Sequence, residues 1–105
     1  MIAPQKNGPG KTFIARLKVK PEKREEFIAC QAELKRLVHA KEPDALVYEV
    51  LHSEDDPDLF FCVATFRDEA AFDHHMRIDF HERLVPPILA CLAEDMDLRF
   101  YRSLQ

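Results

Sequence analysis

Three stretches of this chain set apolar residues at period two, a fourth is a nearly continuous apolar run, and helical spacing lies between them. Residues 12–19 place Phe13, Ala15, Leu17 and Val19 on one face, and Thr12, Ile14, Arg16 and Lys18 on the other. This predicts a strand with one well-buried face. Pro21 then opens a helix, at a position where its missing N–H leaves no bond unmade. The helix is predicted to run to about His39, with Phe27, Cys30, Leu34, Leu37 and Val38 as its apolar stripe. Lys23, Arg24, Glu26, Glu33, Lys35 and Arg36 make the solvated side. His39 falls in the last turn, where a cation suits the helix dipole. Glu42-Pro43-Asp44 reads as a turn, and residues 45–52 as a second strand with Leu46, Tyr48, Val50 and His52 on one face. Residues 53–58, SEDDPD, read as a solvated hairpin loop, since they lack the glycine and terminal glutamate of an EF-hand. Residues 59–66, LFFCVATF, make a third strand. Asp68 is a plausible N-cap for the helical segment that follows. Pro86-Pro87 predicts a break near Val85 and a new helix from Pro86 to about Glu94, with Leu84, Ile88, Cys91 and Leu92 buried. Residues 95–102 alternate again as a fourth strand, with Met96, Leu98 and Phe100 inward.

The order β-α-β-β-α-β is that of the α+β ferredoxin-like fold: a four-stranded antiparallel sheet with helices on one face. The third strand adds a constraint. Phe60, Cys62, Ala64 and Phe66 make one apolar face, yet Leu59, Phe61 and Val63 make the other apolar as well. Helices cover only one face, so a strand apolar on both sides implies burial of the second. A second copy of the chain would supply it, as a homodimer packed sheet on sheet. The other reading is that this face lines a ligand cavity.

At 105 residues, with 47% hydrophobic and 32% charged residues, the chain is an ordinary globular domain. The domain is taken as residues 12–105, and residues 1–11, which hold both glycines, as a flexible leader. Gly10-Lys11-Thr12 is not a phosphate-binding loop: Gln5 stands where the first glycine belongs, and a strand follows where a helix is required. A net charge of −4 argues against nucleic acid as a partner. No apolar run is long enough to span a bilayer, and the N-terminus lacks the apolar core of a signal peptide, so a cytoplasmic location without membrane contact is expected. Cys30, Cys62 and Cys91 are odd in number and widely spaced, and read as reduced, buried small hydrophobes.

The ordered set of local features resembles the antibiotic biosynthesis monooxygenase domain, a branch of the dimeric α/β-barrel superfamily. Its carriers are Val19-Lys20-Pro21, Glu42-Pro43-Asp44, Val47-Tyr48-Glu49-Val50, Asp55-Asp56-Pro57, Phe66-Arg67-Asp68-Glu69 with Ala71-Phe72, His75, and Leu84-Val85-Pro86. The resemblance implies a dimeric barrel acting on a small aromatic or quinol-type molecule. It implies a monooxygenase that uses molecular oxygen as co-substrate, without metal, haem or flavin. A deprotonated, electron-rich phenol passes electrons to oxygen itself, so such a protein supplies a dry pocket, a base and aromatic walls. The chain departs from the family pattern at Ala64, where a glutamate is usual, at Phe66, where a tryptophan is usual, and at Phe80-His81, whose order is reversed.

Within that frame His75 is the candidate base or orienting donor, because imidazole titrates near neutrality. The alternative is a structural histidine bonded to a backbone carbonyl. Tyr48 is the candidate polar contact or proton relay, or else a core aromatic with its hydroxyl satisfied. Phe66 and Phe80 are candidate pocket walls, and Arg67 a candidate partner for an anionic substrate or an exposed ion pair with Asp68 or Glu69. His81 is a further substrate-contact candidate, and His74 reads as surface. A metal site from His75, Asp79 and His81 fails on helical geometry. Two other functions fit the same scaffold: an isomerase using His75 for proton transfer, and a non-catalytic small-molecule-binding dimer, which Ala64 favours.

Overall fold

The computed structural model describes residues 10–104. Four strands form one antiparallel sheet in the order β2-β3-β1-β4. They are β1 (Lys11–Lys18), β2 (Ala45–His52), β3 (Leu59–Phe66) and β4 (Asp97–Tyr101). Three α-helices, α1 (Arg24–Lys41), α2 (Glu69–Arg77) and α3 (Asp79–Ala90), complete a ferredoxin-like α+β fold. Of the leader expected over residues 1–11, residues 1–9 lie outside the described residues, and Lys11 already begins β1.

Period-two alternation puts Phe13, Ala15 and Leu17 of β1, and Phe60, Cys62, Ala64 and Phe66 of β3, on the face that the helices cover, where all seven are buried. Antiparallel pairing aligns the two sets, with Phe13 opposite Ala64, Ala15 opposite Cys62 and Leu17 opposite Phe60. Phe27 of α1 packs on Phe60 with ring centroids 4.7 Å apart. Each such buried ring contributes about 1.5–3 kcal/mol. The opposite face carries Ile14, Phe61 and Val63, all half-buried, with Val47, Leu51 and Tyr101 more exposed around them.

Pro21 starts a 3-10 turn over Pro21–Lys23 that feeds α1. The buried row of α1 differs from the expected stripe. Gln31, not Cys30, continues it from Phe27 to Leu34 and Val38, while Cys30 is only half-buried. That row follows i, i+4, i+7, i+11, the spacing of one helix face. His39, near the end of α1, bonds through Nε2 to the Tyr48 carbonyl at 2.9 Å and ties the helix to β2.

The loop after β2 is held by its own acids. The Ser53 hydroxyl accepts from the N–H groups of Asp55 and Asp56, both at 3.1 Å. Asp56 pairs with Lys18, and Asp58 with Arg24 at 2.7 Å.

The helical break is the main correction. The proline pair predicted it near Val85, but the chain breaks at Ile78, whose φ of −67° and ψ of 145° are extended. α3 then runs through Pro86 and Pro87 and stops at Ala90, short of the expected Glu94. Phe80, Leu84 and Ile88 are buried at four-residue intervals, and this face continues past the prolines. Burial of that row outweighs the backbone bonds the prolines cannot donate. Asp68 does cap α2, its carboxylate accepting from the Ala71 N–H at 2.9 Å. The fourth strand is shorter than expected: Met96 precedes it, and Met96 and Phe100 remain substantially exposed at the sheet edge.

Candidate active site

Between the inner face of the sheet and the three helices lies a cavity of about 250 Å³. Phe13, Ala15, Leu17, Leu98 and Phe100 make its apolar floor, and Leu34, Phe72, Val85 and Ile88 close it from the helices. Five side chains bring chemistry to this wall: Gln31, Tyr48, Cys62, His75 and His81.

His75 is on α2 and almost wholly buried. Its Nδ1 lies 2.9 Å from Oε2 and 3.2 Å from Oε1 of Glu42. A carboxylate only accepts, so Nδ1 carries the hydrogen and Nε2 is the ring nitrogen left for the cavity. Glu42 is itself buried. It is the C-cap of α1, its backbone N–H bonded to the Val38 carbonyl at 2.9 Å. Phe66 and Tyr48 pack on the imidazole, with centroids 4.8 and 5.7 Å away.

His81 meets His75 edge to face at 4.5 Å. A single continuous helix would set residues six apart on different faces, at about 100° per residue. The break at Ile78 puts the two histidines on separate helices and turns them toward each other. Burial, and then the neighbouring His75, push the His81 imidazole down to about 4. It is therefore uncharged at neutral pH. Burial holds the Tyr48 hydroxyl well above the ordinary tyrosine range, with the Cys62 sulfur as a lesser cause. Burial also pushes the Cys62 thiol up to about 11, so it is no thiolate nucleophile at neutral pH.

Of the residues expected from the sequence, the fold brings His75, Tyr48 and His81 to one cavity. Phe66 supports His75 from within the core, and Phe80 is packed in the core. Arg67 lies apart, its Nε bonded to the Asp44 carboxylate at 2.9 Å, a different partner from the Asp68 or Glu69 expected. His74 is exposed, as expected. Two residues escaped the sequence reading. Glu42 reads in the sequence as a turn residue, although a carboxylate at a helix C-terminus opposes the dipole and signals a special partner. Gln31 was passed over, although it interrupts an apolar row. Its Oε1 is buried with no hydrogen-bond partner in the protein, an arrangement that costs about 1–3 kcal/mol. Among the described residues, no three His, Cys, Asp or Glu side chains are grouped to hold a metal ion, and no helix is long and apolar enough to cross a membrane.

The family model for Antibiotic biosynthesis monooxygenase matches residues 12–85. The chain belongs to that family. The match takes in Gln31, Glu42, Tyr48, Cys62, His75 and His81, and ends before β4. Solved structures share the fold across nearly the whole domain. A conserved protein from Methanosarcina mazei has a TM-score of 0.84 at 26% identity, covering 91% of this chain and 94% of its own. An antibiotic biosynthesis monooxygenase has a TM-score of 0.83 at 27% identity, covering 90% and 99%. A protein from Caulobacter crescentus superposes at a TM-score of 0.87 with 23% identity, covering 92% of each chain. An uncharacterized protein of Synechocystis sp. is 28% identical over 86 residues, which is 82% of this chain. The aligned part is 58% of that relative's length, so the chain spans little more than half of it. Ala64, on β3 opposite Tyr48, is fully buried.

Proposed function

We propose that the protein is a monooxygenase-like oxidoreductase acting on a small aromatic or quinol-type substrate, with molecular oxygen as co-substrate and no bound cofactor. The observation that carries this reading is the buried Glu42–His75 pair, whose imidazole lines an apolar cavity. Glu42 fixes the tautomer and orientation of the ring, and His75 Nε2 takes the proton of a substrate hydroxyl. The resulting phenolate is electron-rich enough to reduce oxygen directly. Where its keto tautomer carries a ring CH2, that carbon becomes C=O with one oxygen atom, and the other leaves as water. The substrate supplies all four electrons, so no external reductant enters the balance. Tyr48 stays protonated and serves as a hydrogen-bonding contact, and uncharged His81 flanks the base without repelling a proton from it. The apolar walls exclude water from the phenolate.

Oxygen uptake with a panel of hydroquinols and naphthols tests the reading. The expected result is uptake that falls roughly 10²–10⁴-fold in His75→Ala, the usual range for a lost general base. Binding without uptake by the wild type would refute the oxidative reading. It would favour the second one, a non-catalytic binding protein, which the buried Ala64 supports.

The same proposal includes a homodimer packed through the outer sheet face. Its support is the patch of Ile14, Phe61, Val63, Val47 and Leu51, apolar yet uncovered by any helix of the chain. Pairing two such faces would make the two-sheet barrel that the resemblance implies.

A further inference from the structure

The cavity has an apolar mouth. Met76 of α2, Leu89 of α3, Met96 and Phe100 of β4 all line it, and each is between 38% and 50% exposed. His75, which lines the same cavity, is almost wholly buried. Exposure therefore falls from these four side chains to the histidine, which marks the mouth and the deep end. Among the described residues, no Lys, Arg, Asp or Glu side chain lines the cavity. Lys11, whose ammonium lies 4.4 Å from the Phe100 ring centroid, stays outside it and pairs with Glu69 at 3.2 Å. Phe100 stands opposite Phe13 of β1 on the inner face of the sheet. A dimer packed through the outer face thus leaves this mouth uncovered.

We propose that the ligand is a neutral phenol or quinol carrying an apolar chain, and that the chain lies across Met76, Leu89, Met96 and Phe100. This names the substrate class and rests on the reading of the cavity as the ligand site. A dry cavity of about 150 Å³ holds one benzene, so the 250 Å³ here holds one ring and the start of a chain. With the ring hydroxyl at His75, a chain on the far carbon of the ring leads to the mouth. Apolar side chains grouped at the mouth of a pocket mark a surface that a ligand covers. An apolar chain covers these four and releases water from both surfaces. Two of them are methionines, whose unbranched thioethers adapt to chains of different shape. A carboxylate on the same short chain would be partly desolvated with no cation on the walls to pair it.

The experiment is anaerobic titration calorimetry with p-cresol, 4-propylphenol, 4-pentylphenol and 3-(4-hydroxyphenyl)propanoate, so that oxidation plays no part. Wild-type affinity is expected to rise about three- to fourfold with each added methylene. The propanoate is expected to bind about tenfold or more weakly than 4-propylphenol. Leu89→Ser and Met96→Ser change exposed positions, so the fold is not at risk. Each is expected to cut the ratio of 4-pentylphenol to p-cresol affinity by about three- to tenfold. Ile28→Ser, in the separate groove between α1 and β2, is expected to keep the wild-type ratio. Equal affinity along the alkyl series in the wild type overturns the chain and leaves the cavity reading standing. A ratio that survives in both mouth variants, or that falls in Ile28→Ser, puts the chain elsewhere and overturns the proposal too. Equal binding of the propanoate and 4-propylphenol overturns the requirement for a neutral chain. Failure of the wild type to bind any of these compounds refutes the cavity reading with it.

Discussion

Glu42 Oε2 lies 2.9 Å from His75 Nδ1, with 3% and 2% of the two side chains exposed to solvent. The two residues are separated by 33 positions, β2 and β3. They meet because the C-terminus of α1 and the body of α2 converge on the same end of the sheet. A buried carboxylate–imidazole bond of this kind fixes one imidazole nitrogen and leaves the other free to act.

Removing Glu42 is therefore expected to harm both folding and activity. Glu42→Ala leaves a buried imidazole N–H without its partner and should destabilise the protein by about 1–3 kcal/mol. Glu42→Gln keeps an acceptor and should cost less. Its turnover should nevertheless fall about 10- to 100-fold, as when a partner that orients a functional histidine is lost. Urea denaturation and oxygen-uptake rates on the two variants check both parts. An unchanged kcat in Glu42→Gln would remove the pair from the mechanism.

His81 makes stability depend on pH. Its folded value of about 4 lies below the unfolded 6.5. Between these values the unfolded chain binds a proton that the folded protein refuses. Stability thus falls as pH drops from 6.5 and stops falling from this source below about 4. Above 6.5 His81 contributes no slope. His81→Asn should flatten the acid limb, read as the urea midpoint at pH 7 and pH 5. A parallel loss in both proteins would assign the slope to other groups.

The outer sheet face predicts an assembly. Phe61 sits on the central strand β3, between Leu51 of β2 and Arg16 of β1. Sedimentation at micromolar concentration should give a dimer. Val63→Glu, two residues on along the same face and opposite Ile14 of β1 and Glu49 of β2, should shift it to monomer with the fold retained by circular dichroism, because a carboxylate there meets no cation across either strand pair. A monomeric wild type would sink the dimer.

The proline pair inside α3 should be improvable. Pro87→Ala restores an N–H that can reach the Arg83 carbonyl and removes a ring from the helix interior. An interior proline costs a helix about 3 kcal/mol, partly offset by about 0.4–1 kcal/mol from its stiffening of the unfolded chain. A net gain of about 2 kcal/mol in thermal or urea unfolding is expected. A loss would mean that the ring itself packs against a neighbour it stabilises.

Much of this protein was legible from its residues taken in order. Period-two patterning marked β2 at its observed limits and β1 within a residue, and a continuous apolar run marked β3 at its limits. The order of elements gave the ferredoxin-like sheet, and the ordered local features named the family. These signals are local, because backbone geometry sends alternate or every third to fourth side chain the same way whatever lies beyond. The site is different in kind. Pro86-Pro87 announced a break that the buried row Phe80, Leu84 and Ile88 overrode, and the true break at Ile78 turns His81 onto His75. Glu42 looked like a turn residue until the fold carried α2 across it. Gln31 looked like one polar residue on an amphipathic helix until the sheet closed over its oxygen. Alternation and spacing record which way a side chain points; only the tertiary structure decides what it meets there, since the partner lies across a break in the helix, as His81 does from His75, or tens of residues away, as Glu42 does.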